Sequence, residues 1–137
     1  MSGKEEGQFS TCSDEELLHI ALTDADEDVV WKAIAELHQR GSRDSFERAR
    51  RLCLSEDAHE RIIGADILAQ LGLPNGTFHE EAVTTLVAML EREQEPEVLS
   101  ALASAVGHRH DERTIEPLAR LKDHPDERVR FSVVWDF

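Results

Sequence analysis

Histidines, cysteines and carboxylates are the residues of this chain equipped for chemistry, and their spacing narrows what that chemistry would be. His59-Glu60 and His79-Glu80 each set an imidazole beside a carboxylate, a donor pair that suits a transition metal. His108, His110 and His124, with Asp111, make the histidine cluster. With no C-x-x-C or H-E-x-x-H beside it, His-x-His reads as a solvated connection, and no metal or other cofactor is expected. Cys53, between Leu52 and Leu54 on an apolar stripe, reads as a small core residue and not a nucleophile. The sequence has no phosphate-cradling glycine loop, no nucleophile elbow and no calcium-loop spacing. No catalytic residue is nominated, and the expectation is a protein that is not an enzyme.

Charge is the stronger signal. Among 137 residues, 15 Lys and Arg face 29 Asp and Glu, a formal charge of −14. The acids cluster at Asp24, Asp26, Glu27 and Asp28; at Glu56, Asp57 and Glu60; at Glu91, Glu93, Glu95 and Glu97; and at Asp123, Asp126 and Glu127. Acids just ahead of a helix satisfy free amides and oppose the helix dipole. Lined up along one edge, the same acids would dock a basic partner. Asp24, Asp26, Glu56, Asp57, Glu91, Glu93, Glu95, Asp123 and Asp126 are nominated for that ridge. Arg40, Arg43, Arg48, Arg50 and Arg51 form the basic patch, too small beside the acid total to favour nucleic acid. No apolar run approaches the roughly 20 residues of a spanning helix, so no membrane partner is expected. Two cysteines that build no disulfide framework point to the cytoplasm.

The elements that would position these groups follow from a repeat. VVWKAIAELHQRG from Val29, ERIIGADILAQLG from Glu60, VLSALASAVGHRH from Val98 and VRFSVVWDF from Val129 align, with starts separated by 31, 38 and 31 residues. Leu73 to His79 supply the seven extra residues. Apolar or small residues recur four and eight positions into each segment, at Ala33 and Leu37, Gly64 and Leu68, Leu102 and Val106, Val133 and Phe137. That spacing is one face of a helix. A further apolar-periodic stretch precedes each, the first opened by a capping box at Ser13 and Glu16. Gly41 and Gly72 mark helix ends that need a left-handed residue. Asp111 is placed to cap the fourth unit. The reading is a disordered head over 1–12 and a repeat domain over 13–137, with units near 13–41, 42–72, 73–109 and 110–137, the last incomplete.

This pattern resembles the HEAT repeat, in the short bacterial form related to phycobilin lyase subunits. Leu121-Lys-Asp-His-Pro-Asp-Glu-Arg-Val129-Arg130 is similar to the family's "L-x-D-x-D-x-x-V-R" junction, and Ala65-Asp-Ile-Leu68-Ala-Gln-Leu71-Gly72 to its second helix. The resemblance covers about residues 14 to 137. It implies an all-α, right-handed α-α superhelix of about four helix pairs, second helices on the concave side, acting as a protein-binding scaffold. A phycobilin-lyase-like auxiliary and a HEAT-like nucleic-acid or metal enzyme are the alternatives. The family's di-iron hydroxylase carries His-Glu two and three positions into the second helix, where this chain has Trp31-Lys32, Ile62-Ile63, Ser100-Ala101 and Phe131-Ser132. The row Trp31, Ile62 and Phe131, with Trp135 one turn on, projects off the core face and is nominated to bind a partner's apolar anchor. Lys32, Glu36 and Arg40 read as a polar stripe closing the first end. Phe131, Val133, Val134, Trp135 and Phe137 leave the other end apolar, which favours a homodimer through it.

Overall fold

The computed structural model describes residues 9–72 and 75–136, with side chains throughout except at Trp135 and Asp136. Its elements are α1 Asp14–Thr23, α2 Glu27–Arg40, α3 Arg43–Leu52, α4 Ala58–Gln70, α5 His79–Arg92, α6 Pro96–Arg109, a 3₁₀ turn Glu112–Thr114 running into α7 Ile115–Ala119, and α8 Glu127–Asp136. No strand occurs among the described residues. Several helices start where a side chain supplies a partner for free amides, whereas α5 has no side-chain cap. The Ser13 hydroxyl accepts from Glu16 N–H while Glu16 accepts from Ser13 N–H, both at 3.0 Å. Asp26, Ser42 and Asp57 cap α2, α3 and α4, Pro96 opens α6, and Asp111 caps the 3₁₀ turn. Gly41 ends α2 at φ +55°, and Gly72 turns the chain after α4 at φ +84°.

The helices form four pairs in two layers, an α-solenoid. Second helices α2, α4, α6 and α8 pack in series, first helices α1, α3 and α5 each lie against their own partner, and α7 packs on α5. Ala33, Leu37, Leu68, Leu102, Val106, Val129 and Val133, on the face marked by the four-and-eight spacing, are all buried between layers. Gly64 is fixed by contact: a Cβ there would lie 2.8 Å from the Ala49 carbonyl oxygen and 2.9 Å from Cys53 Sγ. Its missing side chain is what lets α4 press against α3.

Two expectations change at the N-terminal end. Residues 9–12 are not a disordered head: they form a turn with Phe9 buried, and residues 1–8 lie outside the described ones. Arg40, expected to face water, is tied down instead. It donates to the carbonyls of Phe9 at 2.8 Å and Cys12 at 2.7 Å, and pairs with Asp14 and Glu36. Both changes have one cause. Arg40 and Arg109 each sit eleven positions into a repeat. Arg109 donates to Leu68 and Leu71 carbonyls at the end of the unit before it, as Arg40 does to the 9–12 turn. Phe9 therefore fills the register position of Leu71, and the turn covers the first pair as a preceding helix end would.

The seven-residue insertion is also less loop-like than its composition. Residues 75–78 form a turn, and Phe78, at φ +64°, stacks on Phe46 with ring centroids 4.9 Å apart. At the far end Val133 is core, while Phe131 and Val134 are exposed. Phe137 and the Trp135 side chain fall outside the described residues.

Candidate interaction surface

The acidic turns between first and second helices lie together along one edge, and structure divides their carboxylates into two groups. Asp24, Asp26, Asp57 and Asp126 accept from backbone N–H groups two or three residues on, at 2.8 to 3.1 Å. Asp126 also holds Arg128, which keeps its carboxyl down at about 2. Glu93 is the most enclosed. Burial pushes its carboxyl up, but Arg61, in a two-pronged pair at 2.8 and 3.0 Å, and the Glu95 amide outweigh that and hold it below the usual range. These five acids build turns. Glu56, Glu91, Glu95 and Asp123 are exposed, with no side-chain hydrogen bond among the described residues, and these four of the nine ridge acids leave charge for a partner, as do the exposed Glu27, Asp28, Glu97 and Glu127 beside them.

Trp31 and Phe131, at 52% and 63% exposure, are each the fifth residue of their helices, α2 and α8, close to the acidic edge. Between them the row is weaker than its sequence suggests. Ile62 is half-buried against the core, and Ser100 is held by Ser132, Oγ to Oγ at 2.5 Å. The apolar row is thus two separated aromatics, and the side chain of Trp135 lies outside the described residues.

Two of the nominated histidines link neighbouring units, and a third closes its own turn. His79 Nε2 meets Asp111 at 3.0 Å, His59 Nε2 meets the Leu22 carbonyl at 3.2 Å, and His124 Nδ1 accepts from Asp126 N–H. Among the described residues no three His, Cys, Asp or Glu side chains converge as metal ligands. Cys53 is fully buried, and desolvation pushes its thiol up to about 12. That suppresses the thiolate a nucleophile needs. Arg43 of the basic patch grips Glu81 with two nitrogens at 2.8 and 2.9 Å; Arg48 pairs with Asp44 and Arg50 with Glu47.

Three residues not nominated from sequence organise this edge and the opposite helix ends. Arg61 donates to Ser55 and Glu56 carbonyls, five and six residues back, as Arg130 does to His124 and Pro125. It fills the junction-arginine position of unit two, a signal present in the alignment one place after Glu60. His38 Nε2 meets the Asp66 carbonyl at 2.9 Å, and burial holds its pKa below the ordinary value. Asp66 is half-buried, its carboxyl has no hydrogen bond among the described residues, and desolvation lifts it to about 7.

Asp66 makes stability depend on pH. Its folded pKa, about 7, lies above the reference 3.8, so the native state keeps a proton that the unfolded chain has lost. Stability from this group is full below pH 3.8 and falls as pH rises towards 7. Asp66→Asn should therefore raise stability at pH 8 by about 1–2 kcal/mol, residual water contact keeping the gain below the full linkage value. His38 acts in the opposite sense, losing stability as pH falls below 6.5, and is unchanged in the variant. Urea titrations at pH 5 and pH 8 check this: equal stabilities of variant and parent at both would refute it.

A family model for HEAT repeats matches residues 15–105. No curated protein matches the chain.

Proposed function

The chain belongs to the HEAT-repeat family, whose members generally mediate protein–protein interaction, and from this premise we propose a non-catalytic scaffold whose acidic edge receives a basic segment carrying an apolar anchor. The observation that carries this is Trp31. It is half-exposed at the start of the second turn of α2, just past the acids Asp24, Asp26, Glu27 and Asp28 and one unit from the free carboxylate of Glu56. An aromatic flanked by unspent acids suits a Lys- or Arg-flanked apolar side chain, because the ring supplies buried area and the acids speed encounter. The buried Cys53 thiol and the engaged imidazoles of His59 and His79 support a non-catalytic role. The buried Cys53 thiol, outside any disulfide, suits the cytoplasm, and no helix among the described residues is long and apolar enough to cross a membrane. At the other end, exposed Phe131 and Val134 on α8 suit a second copy of the chain, a contact that sedimentation at rising concentration would report and Phe131→Glu would abolish.

The test uses the Trp135→Phe variant, which leaves Trp31 as the fluorescent reporter. Titration with a peptide of lysines flanking a single leucine should shift Trp31 emission to shorter wavelength. Binding should weaken on going from low to physiological salt, where screening acts beyond about 8 Å. It should also weaken when Glu56, Glu91 and Glu95 become Gln. Emission unmoved by such peptides, or affinity blind to both salt and these changes, would remove the acidic edge as a docking site.

A further inference from the structure

Ten of the twelve arginines are engaged by the chain's own carboxylates or carbonyls: Arg40, Arg43, Arg48, Arg50, Arg61, Arg109, Arg113, Arg120, Arg128 and Arg130. The two with no such partner among the described residues, Arg51 and Arg92, are both exposed and line the same groove. That groove, about 460 Å³, runs between first helices α3 and α5, on the layer opposite the row of second helices. Arg50 lines it too, and its one acid, Glu47, is already shared between Arg43 at 3.3 Å and Arg50 at 2.6 Å. The floor is apolar. Leu54 is 67% exposed, Ala88 offers a methyl group, and the hydroxyls of Thr84 and Thr85 are spent on the carbonyls of Glu80 and Glu81.

We propose that this arginine-rimmed groove docks an acidic segment of a partner protein, with an apolar side chain seated on Leu54 and carboxylates between Arg51 and Arg92. Charge complementarity selects the occupant. In a chain of net charge −14, a guanidinium held by neither a carboxylate nor a carbonyl among the described residues is the exception, and two such groups flank one exposed leucine. The overall negative field repels any polyanion at a distance, so what binds must gain at close range. Arginine forks favour carboxylates in two-pronged geometry, and the apolar floor adds contact area. A nucleic-acid strand fits less well, because phosphates beyond the groove would meet a surface dominated by acids. The groove adjoins the acidic edge, since Leu54 and Arg92 also line a pocket with Glu93 and Glu95, so the two sites of opposite preference share a border.

A displayed library of random dodecapeptides, selected on the full chain, tests this without presupposing a sequence. The expected result is a class of peptides rich in Asp and Glu around a hydrophobic residue. That class should lose affinity at least about tenfold on the variant carrying Arg51→Glu and Arg92→Glu, and keep it on Arg120→Glu, a charge reversal just past the end of α7. The milder pair Arg51→Gln and Arg92→Gln repeats the comparison if the first pair perturbs the helical circular dichroism spectrum. Selection that yields no acidic class, or an acidic class indifferent to both arginine pairs, overturns the proposal. So does a single-stranded oligonucleotide that binds the parent and not the arginine variants, or self-association lost in those variants. Those last results would assign the groove to nucleic acid or to a second copy.

Discussion

Leu68→Ala should lower the unfolding free energy by about 2–5 kcal/mol, the range for truncating a buried leucine whose surroundings relax only in part. Leu68 is fully enclosed on α4, the helix packed against α3 of its own pair, α2 of the previous pair and α6 of the next. Neighbours on three sides restrict how far the site collapses, which argues for the upper half of that range. Leu54→Ala removes the same atoms from an exposed position and should cost under about 0.5 kcal/mol. Urea unfolding followed by circular dichroism makes the comparison; the Leu68→Ala midpoint should fall with the slope unchanged. A change below that of Leu54→Ala would mean that the repeat register is misassigned.

Arg109→Ala should cost about 2–4 kcal/mol, the second large effect. Arg109 is 3% exposed, with Nε and Nη2 donating to the Leu68 carbonyl and Nη2 also to that of Leu71. Two effects oppose each other here. Desolvation pulls the guanidinium down to about 10 from 12.5, so burying the charge is itself unfavourable. Its loss nevertheless strands two carbonyls at the end of α4 and opens a void. Arg109→Met refills the void and relieves the buried charge, and should cost about half as much. Thermal and urea unfolding of the two variants separates the contributions. Equal cost for both would mean that the void is irrelevant and that the orphaned carbonyls account for the whole loss.

What the sequence made legible was whatever recurs at helical spacing. Ala33, Leu37, Leu68, Leu102 and Val106 announced the buried face, and Gly41 and Gly72 the helix ends, because each obeys a local rule. The ring of Trp31 was legible for the same reason: it lies off that face by half a turn. Groups acting across one repeat were not. Asp66, His38 and Arg109 sit six, nine and eleven positions into their segments, outside the apolar pattern, and their partners lie 28 to 41 residues away. Phe9 sits in a polar, glycine-containing stretch that gave no sign that Arg40 would bind its carbonyl. The acidic edge was legible as composition, yet the division of its carboxylates into turn-builders and free charges depends on which amides and arginines fold back onto them.

The polar links between pairs share one property: each joins immediate neighbours. His38 reaches unit two, Arg61 reaches Glu93 in unit three, His79 reaches Asp111 and Ser100 reaches Ser132 in unit four. A tension applied to the two termini would therefore load every joint in series, like links of a chain, and the extension at low force would be the sum of small rotations at each joint. The rupture sequence would be set by the weakest link. That is the first one, where α2 and α4 pack less closely than α4 and α6 or α6 and α8. Pulled in an optical trap, the molecule would part first between its N-terminal pair and the next and then shorten its folded length one unit at a time.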